Sequence, residues 1–332
     1  MASVTCVTGG TGFVGRHLVR HLIERGDHER VLTRRPEFVH RLWPTDRVEP
    51  WKGDLTDPET LRGFSSVTSV VYHLAGENRD PRRLEMANVT GTKNLLEACS
   101  DQNLKKFIHL SSMSAMGSVS ALDVDETTPC HPESAYERSK HAGEQMALSA
   151  VKTHGVPVTV VRPTSVFGEE PTQENDRWAV WFNTIQKGWF RFVGTGDSVA
   201  NYVYVGDVVG ACLLLAESDG TTGEVYIVSD SCPLRDFVYA ATDFLGASPP
   251  GTLPTGLAYT LAMGFEVMGR LGRFSPPLTL SRVRALTNRV LYSSDKLRQR
   301  VGFRPAVGWR EGLRRTVTWY QQNGLLPMTR SE

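Results

Sequence analysis

The chain has 332 residues, a net charge of +1, and a composition that is 40 % hydrophobic and 22 % charged, an ordinary globular make-up with room for about two domains. It carries no long basic stripe for nucleic acid, and its most apolar late stretch, residues 257–268, is broken by Glu266 and is shorter than the roughly 20 residues that span a bilayer. Five scattered cysteines without ligand spacing predict no metal site and free thiols; with no basic-then-apolar leader, the expected compartment is reducing and cytoplasmic.

In chain order, residues 4–8 predict a buried strand, and Val14, Leu18, Leu22 and Arg25 mark a helix that stops at Gly26. Strands follow at 30–33, 48–51, 67–74, 106–110 and 156–161, with helices at 88–100 and 135–151 between them. Short apolar strands alternating with helices predict an α/β fold, a Rossmann-type doubly wound parallel sheet. Beyond it, 178–188 and 234–246 read as helices and 202–205 and 225–228 as strands. Residues 1–163 are expected to bind the cofactor. Residues 164–332 are expected to form a smaller, interleaved substrate domain that lends a strand or two back to the sheet.

The turn Thr8-Gly9-Gly10-Thr11-Gly12-Phe13-Val14-Gly15 lies between the first strand and the first helix. Gly9 permits the tight turn, Gly12 lets the backbone approach a pyrophosphate, and Gly15 lets helix and sheet pack closely. Amides at the helix start then bind the anion. Gly53-Asp54-Leu55 follows the third strand, where a carboxylate can accept from the adenine amino group, and Leu74-Ala75-Gly76 ends the fourth with small residues that spare the cofactor. An NAD enzyme places an acid at the end of the second strand. Here Val31-Leu32-Thr33-Arg34-Arg35 has none, and Arg34 suits a 2′-phosphate, so NADP(H) is the expected cofactor and NAD(H) the alternative.

Tyr136 and Lys140 stand one helical turn apart on a shared face. An ammonium there is expected to lower a phenol whose ordinary pKa is near 10. Ser111-Ser112 ends the strand at 106–110; Ser112 is the choice to hold a substrate carbonyl, and Ser111 to turn the backbone beside the cofactor. His73 and His109 read as satisfied core residues, His131 and His141 as exposed.

With these motifs assembled, the chain resembles the extended short-chain dehydrogenase/reductase family over nearly its whole length. Carrying the likeness are the glycine turn, Gly53-Asp54-Leu55-Thr56, His73-Leu74-Ala75-Gly76, Asn88-Val89-Thr90-Gly91-Thr92, Ser111-Ser112 and the Tyr136–Lys140 pair. The resemblance implies a catalytic triad of Ser112, Tyr136 and Lys140. It places Asn88 near the active site, and Pro163 and Val166 among the cofactor-binding residues of a segment passing the nicotinamide. It also implies a homodimer built on the helices around 88–100 and 135–151.

Ser112-Met113-Ser114 stands where dehydratases of the family carry Thr-Asp-Glu, so 4,6-dehydration is disfavoured. The second half is more similar to the 3β-hydroxysteroid dehydrogenase and dihydroflavonol reductase branch, through residues 201–207, 226–230 and 278–305. Trp178, Trp181, Phe182, Trp189, Phe190 and Phe192 are core or the wall of an apolar pocket. Leu257, Leu261, Phe265 and Met268 share one helix face, as core, pocket rim or a shallow membrane contact. The expected activity is NADP(H)-dependent reduction of a hydrophobic ketone, or oxidation of its alcohol. A nucleotide-sugar epimerase and a non-catalytic dinucleotide sensor are the alternatives.

Overall fold

The computed structural model describes residues 4–66, 68–100, 102–119, 121–172, 176–272 and 278–327. Seven parallel strands form the main sheet: β1 (Val4–Thr8), β2 (His28–Thr33), β3 (Val48–Lys52), β4 (Thr68–His73), β5 (Lys106–Leu110), β6 (Val158–Pro163) and β7 (Val225–Val228). Their spatial order is β7-β6-β5-β4-β1-β2-β3. The winding direction reverses between β1 and β4, and such a switch point leaves a crevice at the carboxyl ends of the strands. Val67, expected to open β4, lies outside the described residues.

Side chains alternate across the sheet as a period of two requires. Cys6 and Phe107 enter the core on one face, with Leu95 and Ala147, while Val7 and Ile108 enter the other, with Leu18 and Val209. The first face is covered by α2 (Gly91–Cys99) and α3 (Ala135–Thr153), the second by α1 (Phe13–Arg25) and α5 (Val205–Glu217). Helix α1 stops because Gly26 takes the left-handed conformation at φ 87°, which glycine adopts without a Cβ clash. Helix α3 starts at a capping box in which Ser134 and Glu137 satisfy each other's backbone amides.

The second half returns β7 to the edge of the sheet beside β6. It also builds its own core from α4 (Arg177–Gln186), α6 (Leu234–Leu245) and α9 (Gly308–Gln322). Phe182, Phe190 and Phe192 lie inside that core, with Trp178 and Trp181 packed against it, whereas Trp189 is 71 % exposed. The aromatic run is therefore chiefly core, with no wall built from Phe182, Phe190 or Phe192. Helix α7 (Thr255–Gly272) and α8 (Leu280–Leu286) pack together through Ala258, Ala262 and Val283.

Candidate active site

Strand β1 ends at the glycine turn. Gly9 sits at φ +71°, and a Cβ there would stand 2.5 Å from the Ala75 amide nitrogen. A Cβ at Gly15 would fall 2.1 Å from the Gly9 carbonyl oxygen, so α1 packs on the turn only because both positions lack one. Gly12 differs: the Gly9 oxygen at 3.1 Å is its one close neighbour among the described residues, and the space in front is open. No side chain caps α1 and no acid stands in its first turn, which leaves its amides free for an anion. This cradle fits a pyrophosphate. Phe13 and Val14 instead face the core, where Phe13 packs edge-on to His17 at 5.6 Å.

Thr8 is turned inward. Its hydroxyl accepts from the Ala75 amide at 3.4 Å and pairs with His73 Nδ1 at 2.7 Å. The other ring nitrogen meets Thr92 Oγ1 at 3.0 Å, and that hydroxyl donates to the Asn88 carbonyl at 2.8 Å. The donor–acceptor sequence assigns the proton of His73 to Nε2. Burial, with Lys140 adding to it, pushes His73 down to about 3, so the ring is neutral. His109 lies 5.2 Å from it with neither ring nitrogen bonded, so only His73 is a satisfied core histidine. His131 is exposed as expected, while His141 is half-buried.

At the adenine end, Arg34 and Asp54 lie 3.8 Å apart. Burial works to raise the Asp54 carboxyl, but hydrogen bonds from the Thr56 amide and hydroxyl, with Arg34 beside them, hold it below its ordinary value. Arg16 donates from Nε to the Thr11 carbonyl at 3.1 Å and stands 5.6 Å over the Phe38 ring, which Arg35 flanks at 5.2 Å. Sequence reasoning missed Arg16, although it directly follows the third glycine. The Leu55 carbonyl accepts from Asn94 at 2.8 Å, which ties the loop after β3 to α2.

At the opposite end, Asn88 lies on a π-helical turn, Met86–Thr90, and is fully engaged. It accepts from the Glu77 amide at 2.8 Å, donates to the Glu77 carbonyl at 2.9 Å and donates to Ser139 Oγ at 2.9 Å. It thus pins the loop after β4 to α3. Leu74 continues the β1 pairing through its amide to the Thr8 carbonyl at 3.1 Å. Gly76 then passes so close that a Cβ would stand 3.1 Å from Asn88 Oδ1 and 3.8 Å from Lys140 Nζ.

Ser112 caps a 3₁₀ turn, Met113–Met116, by accepting from the Ser114 amide at 3.1 Å, and it hydrogen-bonds the Tyr136 phenol. Burial raises Tyr136 above its ordinary value, opposed by that hydrogen bond and by the positive charge of Arg177. Lys140 does not supply the opposing charge expected of it. Its ammonium is buried and donates to the Leu110 carbonyl at 3.0 Å. Burial lowers Lys140 to about 8, and Glu144, one turn on, pulls the other way.

Beneath this surface runs a network that sequence reasoning missed. Ser111 Oγ donates to Glu144 at 2.8 Å, and Arg162 Nε donates to the same carboxylate at 2.9 Å, with a second bond from Nη2. Ser111 is therefore held from below rather than turned to the crevice. The YxxxKxxxE spacing was the available signal. Pro163 ends β6 in the buried layer; Val166, half-buried, pairs with Val203, and its carbonyl accepts from the Trp178 indole at 3.1 Å.

Ser112, Tyr136, Lys140 and Gly76 thus converge at the carboxyl edge of the sheet, next to the glycine turn. The NAD dependent epimerase/dehydratase family model matches residues 5–229. A 3beta-hydroxysteroid-dehydrogenase/decarboxylase of Arabidopsis thaliana is 29 % identical, over 94 % of this chain and 78 % of its own length. A 4-hydroxy-2-methyl-3-oxo-4-farnesyl-3,4-dihydroquinoline-1-oxide ketoreductase of Stigmatella aurantiaca is 29 % identical, over 93 % of this chain and 94 % of its own. The crystal structure of gox2253 superposes with a TM-score of 0.79 at 30 % identity, covering 98 % of this chain and 99 % of that one. Fold, dinucleotide cradle and these likenesses agree: the chain belongs to the NAD dependent epimerase/dehydratase family, the extended short-chain dehydrogenases/reductases.

Proposed function

We propose that this protein is an NADP(H)-dependent carbonyl reductase that converts a ketone on a hydrophobic small molecule to its secondary alcohol, or the reverse. The observation that carries this reading is the Ser112–Tyr136 hydroxyl pair, set beside Lys140 and Gly76 at the open end of the sheet. The bound nicotinamide supplies or accepts the hydride. Ser112 donates a hydrogen bond to the carbonyl oxygen and fixes its position. Tyr136 gives that oxygen its phenolic proton as the alcohol forms, and takes it back in oxidation. Lys140 presents a buried ammonium, whose N–H groups suit ribose hydroxyls and whose charge stabilises negative charge as it develops on the reacting oxygen.

The preference for NADP(H) rests on Arg34, a 61 % exposed cation at the end of β2 where no acid stands. The family description itself mentions NAD, so this preference is argued from the chain's own residues. The ketoreductase of Stigmatella aurantiaca acts on a farnesylated ring and the Arabidopsis relative on a hydroxysteroid, which supports an apolar substrate. In this reading residues 1–163 hold the cofactor and 164–332 face the substrate, in a cytoplasmic homodimer.

The test is NADPH oxidation against ketones of steroid, flavonoid and polyketide type, with UDP-sugars alongside. Tyr136→Phe is expected to lower kcat by about 10²–10⁴-fold with NADPH affinity little changed. A near-wild-type rate in that variant overturns the assignment. Interconversion of UDP-sugars with no net loss of NADPH would make the protein an epimerase instead.

A further inference from the structure

The last layer of side chains under the crevice is polar where the layer beneath it is not. On the face covered by α2 and α3, Cys6, Val71 and Phe107 stand side by side on β1, β4 and β5. Two residues further along each strand, nearer the carboxyl ends, Thr8, His73 and His109 stand side by side in the same way. Apolar packing joins the strands to the helices one layer back, so packing alone does not call for the polar set.

The polar layer opens a chain of hydrogen bonds that runs in one direction. The Ala75 amide donates to Thr8 Oγ1 at 3.4 Å, and that hydroxyl donates to His73 Nδ1 at 2.7 Å. His73 Nε2 donates to Thr92 Oγ1 at 3.0 Å, and Thr92 donates to the Asn88 carbonyl at 2.8 Å. The Asn88 side chain carries the chain on, from Nδ2 to Ser139 Oγ at 2.9 Å. Ser139 gives its own proton to the Tyr136 carbonyl at 2.8 Å. Thr8, His73, Thr92, Asn88 and Ser139 are each at most 4 % exposed. The Ala75 amide can only donate and the Asn88 carbonyl only accept, while each hydroxyl and the neutral imidazole has one proton, so the direction between them is fixed. Away from water every member left unbonded costs stability, and the chain therefore holds a geometry that interchangeable apolar contacts leave loose. Its ends are the parts that the chemistry must bring together. Ala75 lies against Gly9 of the cradle, and Tyr136 carries the phenol.

We propose that His73 is a positioning residue, which through Thr92, Asn88 and Ser139 sets the place of Tyr136 against the cofactor cradle. This role rests on the reading of Tyr136 as the acid–base group, so one arm of the test needs no substrate. In protein whose tyrosines carry ¹³C at Cζ, the Tyr136 resonance is identified by its loss in Tyr136→Phe. The protein is saturated with whichever of NADP+ and NAD+ binds more tightly. His73→Phe and Thr92→Val are expected to shift the Tyr136 signal, and Thr92→Ser, which keeps the hydroxyl, to leave it at the wild-type position. With the best ketone substrate, Thr92→Val is expected to lower kcat about 10–100-fold with little change in KM for NADPH, and Thr92→Ser to restore it. His73→Phe combined with Thr92→Val is expected to lose no more than the worse single variant, because both break the same chain. Should His73→Phe not fold, the two Thr92 variants decide alone. An unmoved Tyr136 signal in Thr92→Val, a Thr92→Ser variant as impaired as Thr92→Val, or losses that multiply in the double variant overturn the proposal. A wild type that reduces no ketone ends the reductase reading instead, and leaves the Tyr136 signal to decide this one.

Discussion

Glu144→Gln tests whether the buried ion pair supports the catalytic edge. The Glu144 side chain is 0 % and that of Arg162 4 % exposed. The carboxylate takes two bonds from Arg162 and one from Ser111. Glutamine keeps the shape and one acceptor oxygen but removes the charge. That leaves a guanidinium in the core whose Nη1 already lacks a partner and whose Nη2 has only Cys130 Sγ at 3.6 Å besides. Breaking a buried pair in this way costs about 3–5 kcal/mol. At about 2.1 cal/mol/K of unfolding entropy per residue, a chain of 332 residues then loses about 4–7 °C in Tm. Thermal unfolding followed by circular dichroism measures it. Glu144→Leu combined with Arg162→Met removes both charges and is expected to recover most of the loss, because an apolar pair needs no compensation. A drop under about 1 °C for the single variant, or a double variant as unstable as its two singles summed, would refute the coupling.

Three further outcomes follow from the same geometry. Lys140, lowered by burial to about 8, loses its positive charge as pH rises through that value, so reductive kcat/KM should fall above about pH 8. Glu144→Gln removes the group that holds Lys140 up and should move that limb to lower pH, whereas a flat profile to pH 10 contradicts the role given to Lys140. Gly143→Ala would place a Cβ 2.3 Å from the Asn88 carbonyl oxygen and force α3 off the π-turn. It should cost about 1–3 kcal/mol despite alanine's better helix propensity, and a stabilised variant in urea titration would contradict the packing. Arg34→Ser should raise the NADPH KM about tenfold or more while sparing NADH. An equal change for both cofactors removes Arg34 from the 2′-phosphate site.

The repeating strand-and-helix pattern was legible because period-two burial writes itself into residues such as Cys6, Val7, Phe107 and Ile108. The glycine turn was legible for a related reason. Gly9 and Gly15 each face backbone at under 3 Å, and only one residue type meets that constraint. The seventh strand was foreseen as a returning element, but its place beside β6 is a matter of sheet closure. Helix α5 passed unnoticed, because its nearly continuous apolar run carries no amphipathic period when most of its faces are covered.

Around the site the division is sharper. Ser112, Tyr136 and Lys140 were named from spacing alone, since one turn of helix and one strand end are local facts. What Lys140 touches was not local. Its ammonium goes to Leu110, and Tyr136 is governed by burial, Ser112 and Arg177. Glu144, Arg162 and Ser111 meet across 18 and 33 residues of sequence, and the YxxxKxxxE spacing puts Glu144 on the shared helix face without showing that it is buried or what it pairs with. Composition and period thus marked the fold and the candidate site residues. Tertiary packing decided their charge states, because desolvation and long-range hydrogen bonds exist only once the strands are side by side.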